Sequence, residues 1–159
     1  MMNLKLIVLI LLSSGLLAAC NDEVKEKTSP VAEIKPAAEI KTVERNIDPV
    51  QYSRGARLYQ LNCAKCHGKN AEGTPTWRKT EDDGMFPPPP LNGTGHTWHH
   101  PTKVLVNLIK DGTAKIGGKM PAWKDKLSEQ EIHDILTWIK AQWSDEIYAA
   151  WYTNDQGSK

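Results

Sequence analysis

Three cysteines and one phenylalanine are all that the 159 residues contain of either type. So few cysteines exclude a disulfide framework built from many pairs. A single phenylalanine implies a thin core, and small domains of that kind commonly need an added staple. Charge of one sign is missing too. The formal charge is +1, and it falls to zero once residues 1–19, with Lys5 as their one charge, are set aside. Nothing points to nucleic acid. The apolar run Leu6–Leu12 falls well short of the about 20 residues that a relaxed bilayer crossing needs. Preceded by Lys5 and followed by small residues, it reads as an export signal rather than a permanent membrane helix.

The end of that signal, Leu17-Ala18-Ala19-Cys20, resembles a bacterial lipobox. Residues 1–19 are then a signal peptide and Cys20 the lipidated first residue; an ordinary signal peptide with a cysteine near its end is the alternative. Each buried methylene contributes about 0.8 kcal/mol, and two acyl chains suffice for stable anchoring. The expected location is extracytoplasmic: an exported, membrane-anchored bacterial lipoprotein facing the periplasm or the cell exterior. Residues 20–47 are rich in Glu, Lys, Ala and Pro, lack aromatics and carry the near-repeat VAEIKP and AAEIKT. They read as a flexible tether spanning on the order of 30 Å.

A folded domain is expected over 48–159. Asp48-Pro49 opens a helix, with Asp48 as cap, Pro49 at the first helical position and Gln51 completing a capping box. Tyr52, Ala56, Tyr59 and Cys63 share one face of it. Gly55 costs about 1 kcal/mol of helix propensity, which suits close approach by another helix. A second helix is predicted over Pro101–Lys110, with Val104, Leu105, Leu108 and Ile109 inward. A third begins at cap Ser128 with Glu131 as box partner and aligns Ile132, Ile135, Leu136, Ile139 and Trp143. Ser144 starts a further short helix through Trp151 and Tyr152. No stretch alternates like a strand, and residues 68–100 have no periodicity. A loop of that length is unusual in a compact domain unless it wraps something large that is not protein.

Two of the cysteines stand in Asn62-Cys63-Ala64-Lys65-Cys66-His67-Gly68. A redox dithiol would want a βαβ setting, and zinc would want a second ligand pair. Neither is clear, although His96, His99 and His100 could complete a zinc set. In an oxidising compartment a bare CxxC tends toward a disulfide unless something else claims the sulfurs. The CxxCH spacing is that of c-type haem attachment: two thiols reach two vinyl groups as thioethers, and the next residue, His67, supplies a nitrogen to the iron. One covalent haem c is the expected cofactor.

Residues 48–145 resemble the class I c-type cytochromes of bacteria. The likeness rests on Gly55 and Tyr59 leading into CAKCH, on Met120-Pro121 and on the C-terminal amphipathic helix. It implies an all-α class I cytochrome c fold, with three to five short helices around one haem and Gly55 against the Ile135–Ile139 face. It also implies that Met120, in Gly117-Gly118-Lys119-Met120-Pro121-Ala122-Trp123, is the second iron ligand; Met85 is the rival. The segment Gly95-His96-Thr97-Trp98-His99-His100-Pro101 departs from the generic pattern. Its histidines could displace Met120 or hold a second metal such as copper. Otherwise His100 caps the following helix, His96 and His99 bond loop carbonyls or haem propionates, and Trp98 covers the haem edge.

The function so implied is electron transfer without a substrate, the iron cycling between ferric and ferrous with His67 and Met120 as ligands. Partners are redox proteins, and the membrane is met through the lipid. The alternatives are an enzyme or sensor with an opened sixth position, a copper role for the histidine cluster, or a subunit of a larger oxidase or dehydrogenase.

Overall fold

Asp48 accepts from the Gln51 N–H at 2.7 Å, and Pro49 occupies the first helical position. The computed structural model therefore starts its first helix, α1 (Pro49–Asn62), where the sequence predicts. It describes residues 42–158. The expected signal peptide, Cys20 and the tether as far as residue 41 lie outside the described residues. Four more helices follow: α2 (Ala64–His67), α3 (Thr102–Asp111), α4 (Glu129–Ala141) and α5 (Asp145–Gln156). Short 3-10 turns sit at Thr97–His99 and Ala114–Ile116. Among the described residues there is no strand, only an isolated bridge between Phe86 and Gly118. The architecture is all-α.

The two strongest helices cross at Gly55. A Cβ there would lie 1.9 Å from the Asp134 carbonyl oxygen, so only glycine lets α1 rest on α4. The contact falls on Asp134 and the Ile135 nitrogen, at the edge of the expected Ile135–Ile139 face. The α4 stripe buries Ile132, Ile135, Leu136, Trp138 and Ile139. Its N-terminus has the reciprocal capping box, with Ser128 and Glu131 bonding each other's backbone N–H. Tyr59, 0% exposed, lays its ring 4.2 Å from that of Trp138. Burying a large apolar side chain contributes about 1.5–3 kcal/mol. Trp138, Trp143 and Trp151 are all buried, so tryptophan supplies the aromatic volume that the phenylalanine count suggested was missing.

A carboxylate enters this core. Asp134 is 0% exposed and receives both Nε and Nη2 of Arg54, while Gln130 donates to Oδ1 at 2.9 Å. The Arg54 guanidinium, followed by these further hydrogen bonds, holds the carboxyl below the ordinary aspartate range against the opposing effect of burial. A buried carboxylate without such partners would instead be neutralised.

Two expectations change. The inward face of α3 is Leu105, Val106 and partly Ile109, while Val104 is exposed. α3 packs against α4, and its N-terminus is tied to α5 by one bond. Asp155 accepts from the Thr102 N–H at 2.6 Å, and the α3 N-cap, Pro101, makes no side-chain bond. His100 therefore does not cap α3. Arg45, three residues before the expected start of the domain, donates to the Trp143 carbonyl at 2.9 Å and to Asp145 at 2.7 Å, and covers the Tyr148 ring.

Candidate cofactor site

The last turn of α1 leads directly into α2, so a single near-continuous stretch of helix carries Cys63, Cys66 and His67. Both thiols are free, Cys63 half-buried and Cys66 exposed. Burial, then the neighbouring Cys66, pushes the Cys63 thiol up to about 11. Redox dithiols work through a depressed thiol pKa, so the shift has the wrong sign for that chemistry. Gly68, at φ +80, ends α2, and its carbonyl accepts from the Tyr59 hydroxyl at 2.8 Å.

His67 is buried, and its Nδ1 lies 2.9 Å from the Pro89 carbonyl oxygen. A carbonyl only accepts, so Nδ1 carries the proton and Nε2 presents a lone pair. Burial lowers the imidazole pKa, which favours the neutral, ligating form. The proline run reaches His67 because residues 71–74 hold it there. Leu91 N–H donates to Ala71 at 2.8 Å, and Thr74 N–H donates to Pro88 at 2.9 Å. A Cβ on Gly73 would come within 2.3 Å of the Pro90 nitrogen. The long loop is therefore the clamp that sets the His67 tautomer.

Met120 is half-buried. Its backbone N–H donates to Thr113 Oγ1 at 3.1 Å, and its carbonyl accepts from the Thr113 N–H at 2.9 Å. Lys119 beside it is paired with Glu81 and, at 2.7 Å, with Asp83. Phe86 N–H donates to Gly117 at 2.7 Å, so the long loop also meets the methionine loop. Met85 closes only a local turn, through Asp83 and Glu81. Phe86 and Ile116, 46% and 69% exposed, flank this region with apolar surface.

The histidine segment divides. His96 stacks on Trp77 at 5.2 Å and meets His100 edge-on at 5.6 Å. His99 instead stacks on Trp98 at 3.7 Å, and its carbonyl accepts from Asn154. Partial burial and the neighbouring His100, His99 and Arg78 lower the His96 pKa. Among the described residues no group of three or more His, Cys, Asp or Glu is placed to hold a metal ion.

The donor set fits a c-type haem. Two free thiols stand at the CxxC spacing, with a neutral histidine beside them whose outer nitrogen no described protein group engages. Sequence reasoning missed Pro89, Thr113 and Asp155. Pro89 acts through a main-chain carbonyl that no residue pattern marks. Thr113 and Asp155 act on backbone groups distant in sequence or on another element.

The family model for cytochrome c oxidase, cbb3-type, subunit III matches residues 50–139. The cbb3-type cytochrome c oxidase subunit CcoP of Azospirillum brasilense is 32% identical over 60% of this chain and 30% of its own length. The corresponding subunit FixP of Azorhizobium caulinodans is 31% identical over 54% of this chain and 25% of its own. The cytochrome c subunit of the quinone alcohol dehydrogenase of Gluconobacter oxydans is 31% identical over 58% of this chain and 19% of its own. The chain thus spans less than a third of the length of these relatives. No solved structure gives a significant match.

Proposed function

The chain belongs to the cytochrome c oxidase, cbb3-type, subunit III family, and from that premise we propose that it is an exported electron carrier with its haem iron held by His67 and Met120. It is a bacterial c-type cytochrome, and its cofactor is covalent haem c. When bound, that group supplies a one-electron ferric/ferrous couple. The residues of the chain do the rest: Cys63 and Cys66 retain the group, Pro89 orients His67, and Thr113 fixes the Met120 backbone.

The observation that carries the reading is the 2.9 Å bond from His67 Nδ1 to Pro89, which leaves Nε2 as a preset ligand. Met120 is favoured over Met85 because Thr113 bonds both its N–H and its carbonyl, whereas Met85 closes only a local turn. A closed pair of protein ligands suits transfer without substrate binding, so the chain is a carrier rather than an enzyme. The relatives are named as subunits of redox complexes, which supports redox proteins as partners here. No described helix is long and apolar enough to cross a membrane; the proposed attachment is lipid on Cys20, with residues 20–47 as lipidated N-terminus and tether.

The test is the oxidised spectrum. A methionine-to-iron charge-transfer band is expected, lost in Met120→Ala and kept in a His96/His99 double variant. A high-spin ferric protein that readily binds cyanide or carbon monoxide would overturn the closed-site carrier.

A further inference from the structure

The loop from Thr113 to Met120 is closed by one residue. Thr113 donates its N–H to the Met120 carbonyl and accepts the Met120 N–H on Oγ1, at 2.9 and 3.1 Å. Its own carbonyl accepts from Ile116 and from Gly118, both at 3.0 Å. Thr113 therefore engages both backbone polar groups of Met120 and two further amides of the same loop. Among the described residues, no other side chain bonds the Met120 backbone.

Space around the hydroxyl is reserved for it. A Cβ on Gly118 would sit 2.3 Å from Thr113 Oγ1, so glycine at 118 is what lets the loop fold over this side chain. The base is fixed too. Gly112 ends α3 at φ +75, and a Cβ there would lie 2.7 Å from the Met120 oxygen and from the Ala122 nitrogen. Trp123 N–H then donates to Ile109 and Lys110, both at 3.1 Å. Residues 120–123 are thus laid against the C-terminal end of α3. The Lys119 pairs, by contrast, are partly exposed and hold a side chain rather than the Met120 backbone.

We propose that Thr113 is the positioning residue for Met120, its hydroxyl fixing the methionine backbone so that the thioether stays on the iron. This rests on the reading of Met120 as a ligand. Without the hydroxyl a half-buried N–H loses its acceptor, the loop gains alternative conformations, and an external ligand competes more easily. Nothing about the covalent attachment through Cys63 and Cys66 changes.

The test is cyanide titration of the ferric, full-length holoprotein, followed in the Soret region and at the methionine-to-iron band. Thr113→Val keeps the β-branched shape and removes the acceptor, Thr113→Ser keeps the acceptor, and Met120→Ala sets the limit of an open site. Thr113→Val is expected to bind cyanide about tenfold more tightly than the parent, the equivalent of one hydrogen bond. Thr113→Ser should match the parent, with helix content unchanged in both. Parent-like affinity in Thr113→Val, beside tight binding in Met120→Ala, overturns the positioning role and leaves Met120 ligation standing. Failure of Thr113→Ser to restore parent behaviour overturns it as well. An unchanged spectrum and affinity in Met120→Ala sinks both. If Thr113→Val does not load haem, Gly118→Ala, which presses a methyl on Thr113 Oγ1, carries the same test; parent-like affinity there also overturns the role.

Discussion

His67 donates from Nδ1 to the carbonyl oxygen of Pro89, 2.9 Å away and 22 residues further along the chain. This one bond joins the helix that bears both thiols to the loop with no periodicity. Together with the Leu91–Ala71 and Thr74–Pro88 bonds, it fixes the position of a stretch that has no α-helix or strand. Prolines cannot donate, so residues 87–90 can only accept, and the acceptor at 89 is spent on the imidazole.

Cys63 and Cys66 as two separate thioether donors predict a stepwise loss of attachment. Cys63→Ala or Cys66→Ala alone should keep haem bound through denaturing electrophoresis, with the reduced pyridine band moved toward that of a haem with one vinyl group. The double variant should release its haem. Retention of stained haem by the double variant would contradict the assignment.

Gly55→Ala should destabilise the protein even though alanine favours helix by about 1 kcal/mol. The added methyl meets a backbone carbonyl at 1.9 Å, not a movable side chain. A loss of about 3 kcal/mol, the upper range for overpacking, is expected in urea denaturation. A neutral or stabilising effect would mean that α1 and α4 do not cross there.

Asp134 gives the acid limb of stability a defined sign. Its carboxyl is held below the ordinary value chiefly by Arg54. The associated stabilisation is present above the unfolded aspartate pKa of about 4 and is lost as pH falls through the lower folded value. Asp134→Asn should therefore be less stable than the parent by a similar margin at pH 7 and pH 5. That margin should shrink at pH 3 and below. Urea midpoints at the three pH values measure it, and a margin constant down to pH 2.5 would show that ionisation is not its source.

Two buried tryptophans make a paired comparison. Trp143 donates Nε1–H to the Leu91 carbonyl at 2.7 Å, whereas Trp151 Nε1 has no hydrogen-bond partner among the described residues. Trp143→Phe strands an acceptor, while Trp151→Phe removes a donor that bonds nothing. Thermal or urea unfolding should show Trp143→Phe the more costly by about 1–2 kcal/mol. Equal costs would count against the Leu91 bond.

The helices were legible wherever a cap and an apolar stripe coincided. Asp48, Ser128 and Ser144 each begin a helix as caps. The haem c cofactor was legible because the CxxCH spacing is itself the constraint. The inward face of α3 was not, because Val104 and Val106 are equally apolar and the choice between them depends on how α3 packs in the whole fold, with its N-terminus tied to Asp155 on α5. Nor was the Asp134 pair: within a strong apolar stripe an acid reads as surface until Arg54 is seen 80 residues away. His99 beside His100 suggested a shared site, but a 3-10 turn sends neighbouring rings to different partners. Thr113 sits in a loop whose main-chain bonds leave no periodic trace.

Arg45, clasped at the joint between α4 and α5, has a mechanical consequence. Arg45 lies four residues before α1 starts, so the chain meets that joint before it enters the helix. A pull on the chain from that side would load the Arg45 guanidinium and its contacts before it loaded the helix carrying Cys63.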